Sequence, residues 1–232
     1  LAAEEIKALI IRDLCFNYSD GRTGLDGVSL ECDAGTKVCL VGRNGSGKTT
    51  LLLHINGLLD GKGYIEVCGI KRSRKTMKQI RGKTGLLFSQ VEHHFIMPEL
   101  FSDILLGTEA GTAEYRKAME IIEYFDLFRY RGRNPLELSS GEMKRAALAG
   151  ILARQPELLL LDEPLQNLDR ENAERLLSIL ASLDVTMVIA THSRFIVENI
   201  ADHVAVMDAG KITGFYMKRD ALKRKDIRNL LL

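Results

Sequence analysis

Gly42 and Gly47 bracket a short loop, and Lys48 and Thr49 follow directly, in the run Gly42-Arg43-Asn44-Gly45-Ser46-Gly47-Lys48-Thr49. Each of these residue types has a use if the ligand is a chain of phosphates. Glycine lets the backbone close around anionic oxygens and turn its N–H groups inward. Asn44, Gly45 and Ser46 fill the loop, and Thr50 continues into the following segment. The Lys48 ammonium can reach β- and γ-phosphates, and the Thr49 hydroxyl can ligate Mg²⁺. The context agrees. Residues 37–41 read as a strand, and residues 48–56 read as a helix whose N-terminus adds favourable partial positive charge.

A second group of residues suits the same ligand. Four leucines at 158–161 run straight into Asp162 and Glu163. A continuous apolar run of this length is expected of a strand buried on both faces. In α/β folds such a strand delivers its C-terminal residues to the ligand crevice. Asp162 is then placed to hold the Mg²⁺ shell, and Glu163 to act as general base on the water that attacks the γ-phosphate. A third candidate is Leu138-Ser139-Ser140-Gly141-Glu142. Its small and hydroxylated residues suit a helix N-terminus, and two readings stand: an anion site, or a plain capping box closed by Glu142.

The elements that must position these groups alternate between strand-like and helix-like segments, which favours an α/β fold. Strands are expected at residues 8–12, 27–32, 37–41, 64–67, 86–88, 158–161, 186–190 and 203–207. Between them the middle third reads as helical. It has a segment at 99–106, a helix from a Thr112 cap to about Phe125, another from a Ser139 or Ser140 cap to Arg154, and later one at 170–183. Residues 71–83 carry seven basic side chains, read as a solvated helix face.

Composition narrows the class. The 232 residues are 46% hydrophobic and 27% charged, an ordinary globular balance. Lys plus Arg is 32 against 31 for Asp plus Glu, a net charge of +1, which argues against a strongly basic nucleic-acid binder. No apolar run reaches the ~18 residues of a membrane span, and the N-terminal stretch lacks a secretory pattern. Cys15, Cys32, Cys39 and Cys68 show no metal spacing and read as free thiols of a reducing compartment.

Taken in order and spacing, the phosphate loop, Leu-Ser-Ser-Gly-Glu, Leu-Asp-Glu and the later Thr191-His192 resemble the ATP-binding-cassette (ABC) proteins, over about residues 6–215. The resemblance implies a P-loop NTPase core (RecA-like) with an antiparallel β subdomain and an inserted α-helical signature subdomain. Residues 1–88 and 156–232 would form the core and residues 89–155 the helical part. It implies ATP and Mg²⁺ as ligands, and a head-to-tail dimer in which each signature meets ATP held by the other protomer. Tyr18 is similar to the aromatic that stacks on adenine. Ser139 and Gly141 match the phosphate-contacting signature positions, with Ser140 in place of the usual Gly and Glu142 in place of Gln. Asp169 matches the loop between the two sites, and His192 the γ-phosphate sensor.

One position departs from the family. A glutamine normally ends the strand before the helical subdomain, whereas this chain reads Phe88-Ser89-Gln90-Val91-Glu92-His93-His94. An ungapped count back from Pro98 puts Ser89 in that slot. Gln90 is taken as the working residue for Mg²⁺ and water, on the expectation that the loop readjusts. The neighbouring Glu92-His93-His94 cannot easily converge on one ion.

Within the family, residues 148–153 and 201–208 most resemble the energy-coupling-factor importers of cobalt, nickel and vitamins. The function implied is a peripheral ATPase subunit at the cytoplasmic face of the membrane. Separate transmembrane subunits and a second ATPase protomer would be its partners, with no nucleic acid. The alternative is a non-transport member of the family acting on nucleic acid or ribosomes. The gap of ~90 residues between loop and signature leaves no room for the coiled coil of chromosome-organising heads. The segment at 95–101 crowds Phe95, Ile96, Met97, Leu100 and Phe101 where a helix of the membrane subunit docks in ABC importers, so at least two of Phe95, Met97 and Phe101 are expected to be substantially exposed.

Overall fold

The four leucines before Asp162 form the end of a strand whose residues are all buried. The computed structural model describes residues 7–231. Residues 1–6 of the N-terminal stretch weighed above as a possible leader lie outside that range. In chain order the strands are β1 (Lys7–Asn17), β2 (Thr23–Asp33), β3 (Lys37–Val41), β4 (Lys62–Val67), β5 (Ile70–Lys71), β6 (Thr84–Leu87), β7 (Leu158–Asp162), β8 (Thr186–Ala190), β9 (His203–Asp208) and β10 (Lys211–Met217). The helices used below are α1 (Lys48–Asn56), α2 (Met77–Lys83), α3 (Leu100–Ile104), α4 (Ala113–Tyr124), α5 (Ser140–Leu152), α6 (Arg170–Ser182) and α7 (Arg194–Asn199).

The strands form two sheets. One is six-stranded, in the order β10-β9-β3-β8-β7-β6, parallel from β9 to β6 with β10 antiparallel at the edge. The other is antiparallel, in the order β2-β1-β4-β5. Alternation along the central strands divides the core in two. Val38 and Leu40 of β3, with Leu158 and Leu160 of β7, pack with α1 and the antiparallel sheet. Cys39 and Val41, with Leu159 and Leu161, pack on the other side with α4, α5, α6 and α7. Between β6 and β7 the chain is helical, and its Leu100, Ile122, Phe125 and Leu148 belong to that second core. This is the mixed α/β architecture expected.

Several local expectations change. Strand β1 is longer than the alternation suggests, because Asp13 takes a left-handed φ of 50° and the register slips between Ile11 and Leu14. A bulge of this kind breaks the period-2 pattern that marks a strand. The basic stretch at 71–83 is not wholly solvated. The Arg72 side chain is buried and donates to the carbonyls of His54, Leu59 and Gly61, while Arg81 donates to Gly57 O. All four cysteines are free, two of them buried, and burial pushes the Cys39 thiol up to about 12.

The expectation of exposed Phe95, Met97 and Phe101 does not hold. Phe101 is 5% exposed and belongs to the core, since α3 turns Leu100, Phe101 and Ile104 inward. Phe95 is half-buried against that core, and Met97 is half-buried. The exposed residue is Ile96, at 76%. Asp103 explains the arrangement: its Oδ1 accepts from the Ile96 and Met97 backbone N–H groups, at 2.7 and 2.8 Å. Ile96 and Leu58 then overhang a groove of about 370 Å³ that is also lined by His94, Phe95, Arg81 and Arg154.

His94 is fixed in that groove as an acceptor. The Phe88 N–H donates to its Nε2 at 2.9 Å, and burial pushes its pKa down to about 4. The unfolded chain therefore binds this proton near pH 6.5 while the folded chain refuses it until about pH 4. Stability from this group is complete above pH 6.5 and is lost as pH falls towards 4. Relative to wild type, His94→Gln should lose ~2–3 kcal/mol less stability between pH 7 and pH 4.5. Denaturant titrations at several pH values measure this, and parallel curves for the two proteins would contradict it.

Candidate functional site

The loop between β3 and α1 depends on glycine at specific points. Gly47 has a φ of 105° and Gly45 one of 79°, both in the left-handed region. At Gly42 a Cβ would sit 2.2 Å from the Met207 carbonyl oxygen. Lys48 is largely buried and donates from Nζ to the carbonyls of Gly42, at 2.7 Å, and Arg43, at 3.2 Å. Burial pushes its pKa down, while nearby Glu163 and Asp162 oppose the shift. The Ser46 hydroxyl is buried without a hydrogen-bond partner. An unsatisfied buried hydroxyl in a loop closed by a lysine and a helix N-terminus fits a phosphate ligand.

The two acids at the end of β7 go separate ways. Asp162 is buried, and Thr49 donates from Oγ1 to its Oδ2 at 2.9 Å. Burial pushes the Asp162 carboxyl up, and the Thr49 hydrogen bond opposes that. A hydroxyl and a carboxylate held this close are a hard oxygen pair, the donor type Mg²⁺ takes. Glu163 has a φ of 46°, and its N–H donates to Ala190 O at 2.9 Å. Its Oε1 lies 2.8 Å from His192 Nδ1, and the His192 N–H donates to Oε2 at 3.4 Å. An ionised carboxylate only accepts, so the proton belongs on Nδ1 and leaves Nε2 for another partner.

A cleft of about 540 Å³ joins these parts. Residues 44–50, Tyr18, Arg22, Ser89, Asp162 and Glu163 line it. Tyr18 OH lies 2.6 Å from Thr50 Oγ1, and the Arg22 guanidinium lies 5.6 Å from its ring centroid. The structure brings Ser89, rather than the preferred Gln90, into the lining of this cleft. Ser89 lines the cleft, whereas Gln90 is exposed and N-caps the short 3₁₀ turn Val91–His94. The hydrogen bond from Phe88 N–H to His94 fixes the entry to this turn. In the extended backbone at Gln90, neighbouring side chains face opposite ways, so presenting Ser89 to the cleft turns Gln90 out.

Ser139, Gly141, Asp169 and His192 do not line this cleft. Ser139 N-caps α5 in a full capping box with Glu142, and Tyr130 OH donates to the same Glu142 carboxylate. Gly141 packs on α6, where a Cβ would meet Asn172 Cγ at 2.4 Å. Asp169 N-caps α6, with Asn172 N–H on Oδ1 and Asn172 Nδ2 on Oδ2, both at 2.8 Å. Two residues outside the expected set join the geometry. Arg22 covers Tyr18, and Lys144 reaches from α5 to the turn after Glu163. Both look like surface charges in sequence: Arg22 is one, exposed yet set over the Tyr18 ring, whereas the burial of Lys144 leaves no pattern there.

Strand, phosphate loop, helix and paired acids on a parallel sheet, with a helical insertion between β6 and β7, define an ATP-binding cassette. The ABC transporter family model matches residues 25–166, and the chain belongs to that family. It is thus an ATP-binding and ATP-hydrolysing protein of the ABC type. An energy-coupling factor transporter ATP-binding protein of Carboxydothermus hydrogenoformans is 35% identical over 213 residues, 88% of this chain and 79% of that protein. Its counterpart in Methanothermobacter thermautotrophicus is 34% identical over 235 residues, covering 94% and 75%. CbiO1 of Clostridium perfringens, described as part of the ABC transporter complex CbiONQ, superposes with a TM-score of 0.84 at 27% identity, over 96% of this chain and 93% of that one. A dimeric cassette bound to ADP and Pi superposes at 0.80 with 24% identity, over 91% and 99%, a likeness of fold.

The aromatic wall of the cleft generates a prediction. Base–aromatic stacking is worth ~1–3 kcal/mol. Tyr18→Ala should therefore weaken ATP and ADP binding by about 5–150-fold. Tyr18→Phe keeps the ring and loses only the contact to Thr50, so it should stay within about tenfold of wild type. Calorimetric titration distinguishes them, and equal losses in both variants would remove the ring from base binding.

Proposed function

We propose that the chain powers a membrane importer of a metal ion or vitamin through ATP-driven closure of two cassettes. The names of its energy-coupling-factor and CbiO relatives support that class of transporter. No helix among the described residues is long and apolar enough to cross a membrane, so this reading puts the membrane path in separate transmembrane subunits. The cassette would sit against their cytoplasmic face. Residues 89–155 would be the helical subdomain, and residues 1–88 and 156–232 the nucleotide-binding core.

The observation that carries the reading is the division of the two acids: Asp162 to Thr49 and the phosphate loop, Glu163 to His192. Lys48, Ser46 and the loop N–H groups bind the phosphates, and Tyr18 takes the base. Thr49 and Asp162, with Ser89 nearby, would hold Mg²⁺, which supplies positive charge to the phosphate oxygens when bound. Glu163 accepts the proton of the attacking water. His192 orients that carboxylate through Nδ1 and keeps Nε2 for the γ-phosphate. Ser139, Gly141 and Asp169 lie outside the chain's own cleft, which suits contacts to nucleotide held by a second protomer.

Glu163→Gln tests the assignment. Hydrolysis should slow by ~10²–10⁴-fold while ATP binding persists. An ATP-bound dimer should accumulate and be visible by size-exclusion chromatography. Undiminished turnover would remove Glu163 from the base role.

A further inference from the structure

Helix α5 does more than present its capped N-terminus. Residues four apart lie on one face of a helix. Ser140 and Lys144 are such a pair, and both donate to the turn after Glu163. Ser140 Oγ donates to Asn167 O at 3.3 Å. Lys144 Nζ donates to Glu163 O at 3.4 Å and, more closely, to Gln166 O. The next face, Gly141 and Arg145, packs on Asn172, with Arg145 Nη1 donating to Asn172 Oδ1 at 3.0 Å.

The turn has reason to need holding. Glu163 and Asn167 both take left-handed backbone, with φ of 46° and 61°. Non-glycine residues persist there only where the surroundings over-determine them. Its internal bonds are modest: Gln166 N–H to Glu163 O at 3.1 Å and Leu168 N–H to Leu165 O at 3.3 Å. Lys144 is only 3% exposed, and an ammonium so buried needs fixed acceptors. Those it has are the carbonyls of this turn.

We propose that Ser140 and Lys144 form a positioning bracket that holds the Glu163–Asn167 turn, so that the alignment of the general base depends on the seating of the chain's own α5. A partner's nucleotide drawn to the N-terminus of α5 would in this way act on Glu163 of the other site. The inference rests on the reading of Glu163 as the base.

The charged groups facing Lys144 are the Glu163 carboxylate just after β7 and Glu92 on the 3₁₀ turn, both favouring the ammonium; His192 is hydrogen-bonded to that Glu163 carboxylate. Burial outweighs them and brings the Lys144 pKa down to about 8. The bracket is therefore close to full charge well below pH 8, half-charged near pH 8, and loses its charge above it.

The test is ATP hydrolysis by the full chain from pH 6.5 to 9.5, for wild type and for Lys144→Met, Lys144→Arg, Ser140→Ala and Glu163→Gln. Lys144→Met should lower kcat about 10–100-fold, the scale of a small misplacement of a catalytic group, with KM for ATP within about twofold. Ser140→Ala should lower kcat less. Wild-type kcat should fall on the alkaline side with an apparent pKa near 8. Lys144→Arg, charged throughout, should keep most activity and lack that limb. Unchanged kcat in Lys144→Met, or the same alkaline limb in Lys144→Arg as in wild type, overturns the bracket. A parallel collapse of kcat and ATP affinity in Lys144→Met also overturns it, in favour of a general structural role. Should Lys144→Met fail to fold, the comparison of wild type with Lys144→Arg decides alone. Retained turnover in Glu163→Gln would overturn the base assignment itself.

Discussion

Two carboxylates on consecutive residues face one site with different tasks only if the backbone turns between them. At the end of β7 it does so within one residue. Asp162 still has strand geometry and points to Thr49, while Glu163 takes a left-handed φ of 46° and turns to His192. The leucines behind them are buried on both sheet faces, so the strand end is anchored by two cores at once. Parallel pairing with β8 sets the depth, placing Asp162 beside Ala190, two residues before His192. The rest of the cleft is arranged around this point, with the phosphate loop approaching from β3, on the far side of β8.

The loop meets a second constraint. Its glycines are needed where backbone passes close to backbone, as Gly42 does to Met207, and where φ is positive, as at Gly47. The unpaired Ser46 hydroxyl and the buried Lys48 ammonium leave polar groups that a phosphate would satisfy. The signature residues of the same chain stay outside this cleft, at the start of α5, and are tied to α6 through Asn172 and to the turn after Glu163. In the proposed pair of cassettes, a helix start locked to this turn would link one nucleotide site mechanically to the next.

Much of this was legible in the residues. The phosphate loop, the acid pair and the signature stand in contiguous runs whose chemistry follows from residue type, and buried strands such as β7 declare themselves by unbroken apolar character. Features that depend on single contacts were not legible. The bulge at Asp13 hides the length of β1. The exposed edge strand β10 and the short α7 have too little periodicity to show. Ser89 against Gln90 turns on which way one residue faces, which residue type alone does not reveal. Phe101 is buried, against expectation, and Ile96 is exposed, in a segment that Asp103 clamps before α3. Lys144 reads as one more surface charge until its burial is seen.

In the proposed function each working site is composed from two chains. The most direct measurement mixes a Lys48→Ala chain, with a broken phosphate loop and a sound signature, with a Ser139→Arg chain carrying the reverse. Mixed dimers would then contain one intact site. ATP hydrolysis should recover in part over either variant alone. Demonstrated mixed dimers with no recovery would contradict a site shared between two chains.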